Sequence, residues 1–182
     1  MPVYYVMVLA REATGLLRRV SGLCENRGYA LQSLSVGGIG GGMVRLGLAV
    51  DEPRERAERL ARQLERLTDV MAVEVAGDHQ AVRRELALIK VRPSPGRRSE
   101  VLQVAQVFRA RVVDASPGTV VLEVTGTADK IDALLAVLQE YDVAEVARGG
   151  VVTLRRGPAA LGAEPSEPGQ PAEQPRRWSA VV

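Results

Sequence analysis

The sequence predicts an α+β chain made of two tandem βαββαβ units, and three observations carry that expectation. Apolar runs of strand length alternate with segments whose apolar residues recur at helical spacing. The order strand, helix, strand, strand, helix, strand is traced by residues 1–77 and again by residues 85–157. Glycine and proline punctuate the junctions.

The first strand is "VYYVMVLA", a near-continuous apolar run from Val3 to Ala10. Gly15 then turns the chain into a helix whose apolar face holds Leu16, Val20, Leu23 and Cys24, with Gly28 placed as a C-terminal cap. A glycine turn that opens a helix exposes backbone N–H groups suited to a small anion. The second strand is "ALQSLSV", and the glycine-rich "GGIGGG" links it, as a mobile hairpin tip, to "MVRLGLAV". In that third strand Val44, Leu46, Leu48 and Val50 alternate with Met43, Arg45, Gly47 and Ala49, the pattern of a sheet with one well-buried face. The next helix covers it: Pro53 takes a first-turn position, and Ala57, Leu60, Ala61, Leu64 and Leu67 form the apolar stripe. "VMAVEVAG" closes the unit.

Residues 78–84, "DHQAVRR", form the predicted join. "ELALIKVR" begins the second unit, and the following helix carries Val101, Val104, Ala105 and Phe108 on one face. "ARVVDAS" and "TVVLEVTG" make a strand pair through the turn dipeptide Pro117-Gly118. Ile131, Leu134, Leu135 and Leu138 mark the last helix, and Gly149-Gly150 bends the chain between "VAEVARGG" and "VVTLRRG". Units of this size bury a marginal core, so association into a homodimer or larger assembly is expected. Residues 158–182 hold five of the ten prolines and read as a disordered tail, with Trp178 near its end as a short docking motif or a dispensable extension.

Composition narrows the function classes. The chain has 182 residues, 46% hydrophobic, with a net charge of only +2. Residues 1–77 carry 10 basic and 9 acidic groups, as do residues 85–157, so neither unit is an electrostatic magnet for nucleic acid. Aromatics are 3% of the chain and the third strand has none, which argues against a base-stacking sheet. A single cysteine excludes an intramolecular disulfide framework and fits a reducing compartment. The segment Val3 to Ala10 is far too short to span a bilayer and no basic leader precedes it, so a cytoplasmic protein is expected.

Catalytic chemistry has few carriers here. His79 is the one histidine, and a lone histidine in a join makes no metal site without several further ligands. Cys24 falls on the apolar stripe of the first helix and reads as a packed thiol. "GGIGGG" lacks both the dinucleotide and the P-loop spacing and is followed by a strand.

Several stretches together resemble the small regulatory subunit family of acetolactate synthase (acetohydroxyacid synthase): "TGLLRRVSGL", "NRGYALQSLSV", "RELALIKV", "FRARVVDAS" and "EVARGGVVTLRRG". The resemblance implies an ACT domain followed by a second ferredoxin-like domain. It implies a subunit with no active site of its own, which binds and activates a catalytic subunit in branched-chain amino-acid biosynthesis. That catalytic subunit would carry thiamine diphosphate, magnesium and FAD, and this chain none of them. Members that bind valine hold it between two ACT domains of a dimer. The matching residues here are Glu12, Ala13, Thr14, Gly15, Leu16 and Leu17 on the first turn and Ala30 and Leu31 at the second strand. Two positions depart from the valine-binding pattern, with Glu12 and Ala30 where that pattern has asparagines. Each replacement removes an amide that both donates and accepts, and a carboxylate at Glu12 repels the ligand's carboxylate, so weak or absent valine feedback is expected. The alternative reading is a free-standing ACT-type amino-acid sensor acting on another partner.

Overall fold

The computed structural model describes residues 3–162, which form two compact units: residues 3–82 together with 153–162, and Arg83–Val152. In the first unit the order is β1 (Val3–Arg11), α1 (Leu16–Asn26), β2 (Leu31–Gly40), β3 (Met43–Asp51), α2 (Arg54–Leu64) and β4 (Val70–Ala76). The strands make an antiparallel sheet in the order β2-β3-β1-β4. Register explains the core. Val6 lies opposite Leu48 and Val8 opposite Leu46, so these residues share a face. Leu16, Val20 and Cys24 of α1 and Ala57, Leu60 and Leu64 of α2 close over it. Most of these side chains are fully buried, and each large one contributes roughly 1.5–3 kcal/mol.

After β4, a single turn of 3-10 helix, Asp78–Gln80, leads into β5 (Ala81–Val91). Then come α3 (Arg98–Val107), β6 (Arg111–Ser116), β7 (Thr119–Gly126), α4 (Ala128–Leu138), β8 (Val143–Arg148) and β9 (Val152–Arg155). The second sheet runs β6-β7-β5-β8, with β9 also pairing β5. Ala87, Ile89 and Val91 of β5 alternate into a core with Val120, Leu122 and Val124 of β7. Val101 and Ala105 of α3 and Ile131, Leu134 and Leu138 of α4 complete it. The split-βαβ order expected from the sequence is therefore present twice.

Five details differ from expectation. The glycine stretch is mostly strand: Gly37, Gly38 and Gly40 pair with Arg45, Val44 and Met43, and only Gly41 and Gly42 turn. Ladder pairing is a backbone property, and glycine supplies N–H and C=O groups as any residue does. β5 begins at Ala81 rather than at the expected Glu85, so part of the join at residues 78–84 is strand. Residues from Thr153 onward, at the end of the expected second domain 85–157, group by contact with the first unit. There Arg45 Nη2 donates to the Thr153 carbonyl at 3.1 Å, and Arg155 pairs with Glu74. Pro53 is the residue before α2, and Leu67 packs on the core beyond the helix end.

The other face of the first sheet is also less open than the alternation of β3 suggests. Met7 is fully buried there with Ala76 and Ala81, and Leu161 packs against them. Residues 158–162, expected to begin a disordered tail, thus include a core contact. The remainder of that tail, with Trp178, lies outside the described residues. Among the described residues no helix is long and apolar enough to cross a membrane.

Candidate functional site

The turn between β1 and α1 is built from backbone bonds. Arg11 N–H donates to the Asp69 carbonyl at 2.8 Å and Glu12 N–H to the Gly42 carbonyl at 2.7 Å, which fixes where the strand ends. Leu16 N–H then donates to the Ala13 carbonyl at 3.1 Å, closing a turn whose third residue is Gly15. Gly15 sits at φ 80°, in the left-handed region open to glycine, and caps α1 without any side-chain hydrogen bond. Among the described residues the Leu17 and Arg18 N–H groups have no backbone acceptor, the usual condition of a first helical turn. Leu16 is buried, whereas Glu12, Thr14, Gly15 and Leu17 face solvent and Ala13 is half-buried.

An open groove starts at Thr14 and Gly15 and follows α1 past Arg18, Arg19 and Gly22 to Asn26. Arg19 is fixed at its rim, pairing with Asp69 and donating to the Thr14 carbonyl at 3.4 Å. Glu12 has no ion-pair or hydrogen-bond partner for its carboxylate among the described residues.

Ala30 and Leu31 lie elsewhere in the same chain. Leu31 pairs with Val50, and Val50 pairs with Tyr4 near the start of β1. Glu12 follows Arg11 at the other end of that strand. Tyr4 to Arg11 is seven steps, about 23 Å at ordinary strand rise. One copy therefore separates the two parts of the predicted site to opposite ends of its sheet. Ala30 is exposed, yet both its backbone groups are engaged: its N–H donates to Glu52 Oε1 at 2.9 Å and its carbonyl accepts from Asp51 N–H at 3.0 Å. The position offers a ligand a methyl group rather than a hydrogen bond. Sequence reasoning missed Glu52, because nothing local announces that a carboxylate between β3 and α2 serves a backbone group 22 residues earlier.

The chemically reactive residues are apart. Cys24 is buried on α1, where burial pushes its thiol pKa up, and His79 is exposed in the 3-10 turn. Among the described residues no group of three or more His, Cys, Asp or Glu side chains is arranged to hold a metal ion.

Comparison with known proteins agrees with this architecture unit by unit. Residues 6–72 match the model described as the AHAS small subunit-like ACT domain, and residues 84–157 match the small subunit of acetolactate synthase. The acetolactate synthase small subunit of Mycolicibacterium smegmatis is 39% identical over 163 residues, covering 89% of this chain and 96% of that protein. That of Aquifex aeolicus is 40% identical, covering 84% of this chain and 81% of its own length. The crystal structure of the Thermotoga maritima small subunit superposes with a TM-score of 0.79 at 29% identity, covering 87% of this chain and all of that one. With an ACT unit, a second split-βαβ unit and relatives matched over nearly their full length, the chain belongs to the acetolactate synthase small-subunit family.

Proposed function

We propose that this chain is the non-catalytic regulatory subunit that binds the catalytic subunit of acetolactate synthase and raises its activity. In this reading the thiamine diphosphate, magnesium and FAD belong to the catalytic partner, and the chain acts by favouring that partner's active arrangement. It works as a homodimer through the ACT unit, with an amino-acid effector seated between the two copies.

The observation that supports the dimeric seat is the separation of Glu12–Leu17 from Ala30–Leu31 along the sheet. Among the described residues β2 is an edge strand, paired only with β3. Antiparallel pairing of β2 with its copy sets the start of one strand beside the end of the other. That end is the glycine hairpin, where Gly42 holds Glu12. Two copies thus restore what one copy separates. The turn of one then offers the Leu17 and Arg18 N–H groups to a carboxylate, and the β2 entry of the other supplies the opposite wall. Glu12, exposed beside the turn, opposes that carboxylate, so valine binds weakly and its feedback is slight.

Sedimentation of the chain alone and with its cognate catalytic subunit tests the assembly. A dimer that co-sediments with the catalytic subunit supports the proposal. A chain that stays separate at all ratios returns the choice to an independent amino-acid sensor.

A further inference from the structure

Glu52 is a buried carboxylate, only 7% exposed, immediately after β3 and before the capping Pro53 of α2. A carboxylate there is well placed to cap its own helix, whose first N–H groups and dipole favour negative charge. It does not do so: α2 has no side-chain cap. Glu52 Oε1 instead accepts the Ala30 N–H at 2.9 Å, and Oε2 lies 2.7 Å from Arg56 Nε as an ion pair. Arg56 extends the hold, with Nη2 donating to the Gly28 carbonyl at 3.0 Å and its guanidinium 5.2 Å from the centre of the Tyr29 ring. The Tyr29 hydroxyl donates to Gln63 Oε1 at 3.4 Å. Three successive residues, Gly28, Tyr29 and Ala30, are each gripped by a different group of the segment from Glu52 to Gln63.

We infer that Glu52 is a positioning residue for the β2 side of the effector seat, its carboxylate fixing where Ala30 and Leu31 enter the sheet and hence the wall they present to the amino acid. This rests on the effector reading above. A buried carboxylate is retained at a cost unless each oxygen finds a partner; here Oε2 lies against Arg56 Nε, while Oε1 takes the Ala30 N–H and a longer bond from Arg56 Nη2 at 3.4 Å. Loss of the side chain leaves the Ala30 N–H without its acceptor and frees the turn to shift. Glutamine keeps an oxygen for that N–H while giving up the charge.

The test compares the full-length chain with Glu52→Ala and Glu52→Gln, reading amide exchange at Ala30 and the initial slope of the Gly15 and Leu31 amide shifts as valine is added. Glu52→Ala is expected to speed Ala30 exchange more than that of core amides such as Val6 and to cut the valine slope about tenfold. Glu52→Gln is expected to retain both within about twofold. Equal losses in the two variants, or acceleration at Ala30 that only tracks Val6, would assign Glu52 to general stability and overturn the positioning role. Valine shifts in the intact chain that Glu52→Ala leaves unchanged would also overturn it while sparing the effector reading. No valine-dependent shift in the intact chain would overturn the effector reading, and the inference with it.

Discussion

The Glu12 N–H donates to the Gly42 carbonyl at 2.7 Å, so the turn that opens α1 is tied directly to the tip of the glycine hairpin. Gly41 and Gly42 have φ of 61° and 69°, the pair of left-handed residues that a two-residue hairpin between twisted strands requires. Gly42→Val, a branched residue forced into that region, is expected to cost about 1–2 kcal/mol or more in a urea titration. Gly41→Asn should stay within about 1 kcal/mol, because asparagine enters the left-handed region more readily. Equal costs for the two variants would mean that the hairpin tip does not set the geometry.

Glu12 and Ala30 are the two expected departures from the valine-binding pattern, and their surroundings differ. Glu12 contributes an unpartnered charge, whereas Ala30 contributes a methyl group on a backbone already engaged at both ends. The double variant Glu12→Asn with Ala30→Asn is expected to bind valine at least about tenfold more tightly than the intact chain, as a repulsive charge is removed and two amides are gained. Calorimetric titration checks it. An unchanged affinity would show that these positions do not control the response.

Gly15 and Gly22 make a paired test of backbone strain. A Cβ built at Gly15 meets nothing closer than Arg19 Nη1 at 3.6 Å, so the cost of Gly15→Ala comes from φ 80° and should be about 1–2 kcal/mol. Gly22 lies inside α1 with open space around its Cβ position, and Gly22→Ala should stabilise by about 0.5–1 kcal/mol. Denaturant midpoints that move in opposite directions support this account of the turn.

Cys24 provides the pH-dependent prediction. Burial raises its thiol pKa, so the folded chain holds that proton to higher pH than the unfolded chain does. The sign follows from linkage: this contribution is complete below the unfolded thiol's pKa and is lost as pH rises through the folded value. Stability should therefore fall in alkaline solution by an amount missing from the slope of Cys24→Ala. The native chain should also resist thiol reagents at neutral pH and react once denatured. Rapid labelling of the folded chain would place the thiol outside the α1 core.

How much of this was legible in the sequence depends on whether the signal was local. The alternation of Val44, Leu46, Leu48 and Val50 and the stripe of Ala57, Leu60 and Leu64 identify core faces directly, since period and burial are coupled by backbone geometry. Gly15 was legible as a turn because few other residues tolerate its φ. Residues 37–40 belong to the ladder rather than to the expected hairpin tip, because composition reports side chains while their pairing with β3 is made by the backbone. Leu161 against Met7, and Glu52 beneath Ala30, join residues far apart in sequence and leave no periodic trace. The placement of Glu12–Leu17 and Ala30–Leu31 at opposite ends of one sheet emerges only from register.

The most direct measurement of the central claim is acetolactate formation from pyruvate by the cognate catalytic subunit, with this chain added over a range of ratios. The account predicts a saturable rise in rate, with little loss when valine is then added. A rate that stays flat, with both proteins folded, would contradict the activating role and leave the chain as a member of the family fold acting on some other partner.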